Sequence, residues 1–88
     1  LDGINFKKKD IKINGEVYEI SEPNARMVAL LGRFIGINEK KLTAEQIEDM
    51  AKVGIEVVTS MGLPKEVADE LPIEPLFRIA GAFNSQGK

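Results

Sequence analysis

Apolar and polar residues alternate along Asp10 to Ile20, where Ile11 and Ile13 flank Lys12 and Val17, Tyr18 and Ile20 follow the pair Asn14-Gly15. Asn-Gly supplies the two positive-φ positions of a type I′ turn, so this stretch predicts a β-hairpin. On the return strand Glu16, Tyr18 and Ile20 share one face and Val17 and Glu19 the other, so its alternation is less clean. Beyond Ile20 the period lengthens from two to that of a helix. Ser21, Glu22 and Pro23 predict a helix start, with Ser21 as cap, and the helix is expected to run to about Gly36. Met27, Val28, Leu30, Leu31, Phe34 and Ile35 cover one broad side, and Ala25, Ala29, Gly32 and Gly36 form a stripe of small residues. A helix apolar nearly all round is buried from several directions. This one is expected to be the central helix of the domain or part of a contact with another chain, and the stripe admits a second helix that is either internal or foreign.

Residues 37–42 read as a polar connector. Thr43 and Gln46 then stand at capping-box spacing, and Gly62, with Pro64 two residues beyond, predicts a left-handed stop after Met61. The buried face expected for this second helix is Ile47, Met50, Ala51, Gly54, Val58 and Met61, widened by Ile55 and Val57. Val53 projects among polar neighbours on that wheel, which makes it either a stray exposed valine or a contact for a partner. Pro64 to Glu70 predicts a short helix with proline at its start. Ile73, Leu76, Phe77, Ile79, Ala80 and Phe83 define a last amphipathic helix, and residues 84–88 are expected to form a mobile tail. The fold class is therefore mainly α, with an N-terminal β-hairpin followed by three to four short helices packed as one small domain across residues 1–88. Residues 1–9 read as a polar lead-in, and Leu1 in place of an initiator Met suggests a chain trimmed at its start.

Composition narrows the chemistry. The 88 residues include no Cys and no His, which removes thiolate nucleophiles, disulfides, the commonest metal ligand and the commonest general base. Glu45, Asp49 and Glu56 could be imagined as a Mg²⁺ or acid/base site, but they line a wet helix face without convergence, so no catalytic, metal or cofactor residue is assigned. The expectation is a protein that is not an enzyme. No phosphate-cradling glycine motif occurs, and the net charge of −2 with scattered basic residues disfavours nucleic acid. No membrane span is expected. Lys7 to Lys9 read either as an anion-binding run or as charges that guard a strand edge. Residues after Lys41 carry eight acidic and four basic side chains against six and eight in residues 1–41, which either attracts a basic partner segment or keeps the helices soluble, with Glu48 and Lys52 as an i,i+4 pair.

The order of these elements carries a resemblance. The opening I-K-I-N-G-E-V-Y-E-I, the helix M-V-A-L-L-G-R-F-I-G, the acidic middle helix and the closing L-P-I-E-P-L-F-R-I-A-G-A-F resemble the small tail assembly chaperones of long-tailed bacteriophages and related prophages, from Asp10 to Phe83. The resemblance implies a non-enzymatic role in the bacterial cytoplasm: binding the long, helical tape measure protein, keeping it soluble until the tail tube polymerises, and staying out of the mature virion. It also implies a longer frameshifted product that could reach the tail tube protein, with which the closing Gly87-Lys88 is compatible. The family has no catalytic positions to transfer. The residues expected to touch a partner are Val53 and Val57 on the middle helix and Leu76, Phe77, Ile79 and Phe83 on the last. Polar replacement of Phe77 and Phe83 is expected to abolish solubilisation. The alternative from another class is a self-associating structural or completion protein retained in the particle; a homo-oligomer is compatible with either.

Overall fold

The computed structural model describes residues 7–34 and 41–83. Two antiparallel strands, β1 (Lys8–Ile13) and β2 (Glu16–Ser21), precede four helices: α1 (Ala25–Gly32), α2 (Ala44–Met61), α3 (Lys65–Asp69) and α4 (Ile73–Ala80). The expected hairpin and helical domain is therefore present. Asn14 and Gly15 carry φ of 51° and 84°, the two left-handed positions that a type I′ turn requires. This turn sets the register Ile13↔Glu16, Ile11↔Tyr18 and Lys9↔Ile20 on one face of the ribbon and Lys12↔Val17, Asp10↔Glu19 and Lys8↔Ser21 on the other. The first face is turned toward the helices, with Ile20 fully buried and Ile11, Ile13 and Tyr18 packed at the margin of the core. β1 starts at Lys8, inside the stretch expected to be a lead-in, because Lys7 and Glu22 close the ladder: Glu22 N–H donates to the Lys7 carbonyl and Lys7 N–H to Glu22 Oε1, both at 2.9 Å.

α1 is capped by Asn24 rather than Ser21. The Asn24 side chain accepts a hydrogen bond from Met27 N–H at 2.9 Å, while Ser21 ends β2 and its hydroxyl donates to the Met61 carbonyl. α1 is not the central helix either. Only Met27 and Leu31 are buried, one i,i+4 pair facing inward, while Val28 is 42% exposed and Ala25, Ala29 and Gly32 face outward. Among the described residues nothing lies within 4 Å of a Cβ placed on Gly32, so no described helix fills that part of the small-residue stripe. Ile35, Gly36 and the start of the connector, like the tail 84–88, fall outside the described residues.

The central element is α2, against which α1, α3, α4 and β2 all pack. Its N-terminus carries the full capping box, with the Thr43 hydroxyl accepting from Gln46 N–H at 3.1 Å and the Gln46 side chain accepting from Thr43 N–H at 2.9 Å. Its C-terminus closes at Gly62, φ 120°, where Gly62 N–H donates to the Thr59 carbonyl and Leu63 N–H reaches back to Val58. That pair of bonds is the Schellman arrangement, and buried Val58 and Leu63 supply its apolar contact. The buried residues of α2 are Met50, Val53, Gly54, Val57, Val58 and Met61. Compared with the face expected from the sequence, this arc is rotated by roughly 40° toward Val53. Ala51 and Ile55 end half-buried and Ile47, in the first turn, is 43% exposed.

α2 is covered from several directions, by α1, α3, α4 and β2. A Cβ built on Gly54 would sit 2.7 Å from Leu76 Cδ2 and 3.1 Å from Phe77 Cε2, so the glycine leaves a notch that these two α4 side chains fill. The resulting core joins Ile20, Met27, Leu31, Val53, Val57, Val58, Met61, Leu63, Ala68, Leu76 and Ala80, and no described polar or charged residue is buried within it.

Candidate interaction cleft

The inward face of the hairpin and the helices diverge toward the turn. Near its base the ribbon is anchored by Ile20 in the core and by Lys9, whose Nζ donates to the Ala82 carbonyl at 2.7 Å and lies 5.2 Å from the centre of the Phe83 ring. Toward Asn14-Gly15 the ribbon stands away from α3 and α4, leaving a cleft of about 700 Å³. Ile11, Ile13 and Tyr18 form one wall; Val67, Leu71, Pro75 and Ile79 form the other. All seven are half-buried, so each offers apolar surface that the described residues leave uncovered. Lys12 and Glu16 stand at the hairpin side of the rim and Glu66, Glu70 and Arg78 at the helical side. Arg78 is engaged with Glu74 at 3.1 Å, an exposed i,i+4 pair like Lys65–Asp69 at 3.0 Å; Glu48 and Lys52 do not form the pair their spacing suggested.

Local sequence explains the opening. Pro64 and Pro72 occupy the position before the first turn of α3 and α4, where a missing N–H costs nothing, and their carbonyls accept from Ala68 and Leu76. The two short helices are therefore separated by a proline-ended bend, Glu70 to Pro72, whose apolar side faces Ile11 and Ile13 across the cleft. The hairpin is held by its own ladder and by its base.

Of the residues expected to meet a partner, Ile79 lines this cleft. Val53, Val57 and Leu76 are 8%, 0% and 1% exposed and belong to the core, so the outward projection expected of Val53 is corrected. The cause is that α2 is packed by α1, α3, α4 and β2 together, so its covered arc is wider on the Val53 side than the wheel suggests. Phe77 is half-buried and meets Phe34 edge-on, ring centres 6.1 Å apart; Phe83 is half-buried beneath Lys9. A polar residue at Phe77 would therefore loosen helix packing as well as alter surface. The cleft residues Ile11, Ile13, Tyr18, Val67, Leu71 and Pro75 were not singled out from the sequence as contacts. The only available signal was that the alternating strand face and the α3–α4 apolar positions together exceed what one helix can cover.

Neither a family model, nor a curated protein, nor a solved structure matches this chain. The site is therefore argued from its own geometry. Among the described residues no three acidic side chains gather at metal-binding distance, and no helix is long and apolar enough to cross a membrane.

Proposed function

We propose that this chain is a non-enzymatic binding module that works as a tail assembly chaperone, seating an amphipathic helix of the tape measure protein in the cleft between the hairpin and α3–α4. The observation that carries the reading is the cleft itself: two apolar walls from different elements, left half-uncovered by the described residues and rimmed by charges of both signs. A helix presents one apolar stripe with charged flanks, and one turn of it offers side chains of the bulk such a space takes. Binding there covers surface that a domain of this size cannot cover alone, so capture stabilises both partners. The resemblance along Asp10 to Phe83 supplies the identity of the client.

The test is co-expression with a tape measure protein, expected on this reading to be encoded immediately downstream. A chain carrying Ile13→Glu and Ile79→Glu, folded by circular dichroism, is expected to leave the client in the insoluble fraction, whereas the parent chain and a Val28→Ser control keep it in solution. Retention of a soluble client by the folded double variant would remove the cleft from the mechanism.

A further inference from the structure

β1 has two edges, and among the described residues only one is used. The two-residue turn makes Ile13, Ile11 and Lys9 the residues that exchange hydrogen bonds with β2, and the Lys7–Glu22 bonds continue the same parity. The N–H and C=O groups of Lys8, Asp10 and Lys12 therefore point away from the hairpin. No described residue hydrogen-bonds them, and all three side chains are exposed. The matching edge of β2 is differently placed, since a Cβ on Gly62 would stand 3.3 Å from the Glu19 carbonyl oxygen: the end of α2 lies against it.

We infer that the open edge of β1 pairs with β1 of a second copy of this chain, joining two hairpins into one four-stranded antiparallel sheet. Two such edges related by a two-fold axis are antiparallel, and their ladder forms only when outward-pointing residues meet outward-pointing residues. An axis at Asp10 sets Asp10 against itself and Lys8 against Lys12. An axis at Lys12 sets that lysine against itself; an axis at Lys9 pairs Lys8 with Asp10 on the outer face but sets Lys9 against Lys9 on the inner one. An axis at Ile11 instead places Asp10 opposite Lys12 of the second copy, and Lys12 opposite its Asp10, on the outer face. On the inner face Ile11 then meets Ile11, and Lys9 meets Ile13. Opposite charges directly across a ladder stabilise it and like charges oppose it, so the lysines that guard this edge against indiscriminate pairing also select one register. Because Ile11 and Ile13 wall the cleft, that register brings the clefts of the two copies side by side. The pairing follows from β1 alone and holds whatever the cleft takes.

The experiment is sedimentation equilibrium of the full chain at up to about 1 mM, the weak-association range appropriate to a short strand edge. The parent chain is expected to dimerise. D10K and K12D are each expected to weaken the dimer by about thirtyfold, since two cross-strand pairs turn from attractive to repulsive. The double variant D10K/K12D restores both pairs and is expected to recover the dimer, as is an equimolar mixture of the two single variants. Circular dichroism establishes that each variant is folded. A parent chain that stays monomeric throughout, or single variants that dimerise as well as the parent, would overturn the inference; so would a double variant or a mixture that does not recover.

Discussion

At Gly54 a missing side chain leaves the notch that Leu76 and Phe77 of α4 fill. Leu76, whose Cδ2 stands 2.7 Å from the position of an added Cβ, is 1% exposed and packed in the core. Gly54→Ala therefore displaces the Leu76 side chain against its packed neighbours. Overpacking of this kind costs about 1–3 kcal/mol, and the gain of about 1 kcal/mol in helix propensity offsets only part of it. A net loss of about 1–2 kcal/mol is expected as a lower urea midpoint at unchanged slope; an unchanged or higher midpoint would show that α4 does not approach α2 so closely. The same residue marks the principal misreading of the sequence. A helical wheel treats Gly54 as one small member of an apolar face, whereas in the fold it receives the Leu76 and Phe77 side chains, and the burial of Val53 beside it depends on elements the wheel does not see.

Elements were legible where their ends are written in side-chain chemistry. Asn14-Gly15, Thr43 with Gln46, and Gly62 each act through a local hydrogen bond or a left-handed backbone position, and each is found as expected. Thr43→Ala removes an acceptor for Gln46 N–H and is expected to lower stability by about 1 kcal/mol, read as a reduced melting temperature with retained helical signal. Little or no change would mean that the first turn of α2, already exposed at Ile47, is frayed in solution. At α1 several residues compete for the cap, and the choice between Ser21 and Asn24 depends on how far β2 extends before the chain turns. That depends on the pairing of Lys7 with Glu22, fifteen residues apart, which local reading does not reach. The relative importance of α1 and α2 was lost for the same reason. An apolar helix announces that it can be buried, while the number of neighbours around it is set by the packing of the rest of the chain.

At the scale of the molecule, one side chain links the first strand to the end of the last helix. Lys9 joins segments 73 residues apart through its bond to Ala82 and its place over Phe83. Lys9→Met keeps the aliphatic stem and removes the charge. Faster hydrogen exchange of the Gly81 and Ala82 amides, whose bonds to Phe77 and Ile79 end α4, is expected, with a loss of about 0.5–1 kcal/mol for an exposed cation–π contact. Unaltered exchange at those amides would mean the clasp does not hold the helix end. The cleft also belongs to this scale. Its two walls come from sequence segments about fifty residues apart, and nothing local in either marks the opposite wall. What the sequence did carry was the excess of apolar positions, which pointed to a partner but not to the place it would occupy.

Tyr18 is the chain's sole tyrosine, there is no tryptophan, and its ring stands in the wall of the cleft. Ultraviolet emission from the protein therefore originates almost entirely at one location. A ligand that enters between the hairpin and the helices changes the solvent around that ring, while events at α1 or the far side of α2 leave it undisturbed. The molecule is thus its own optical titration cell: occupancy of the cleft can be followed in the unlabelled chain with any segment that lacks aromatic residues, and quenching by iodide separates a covered ring from an open one.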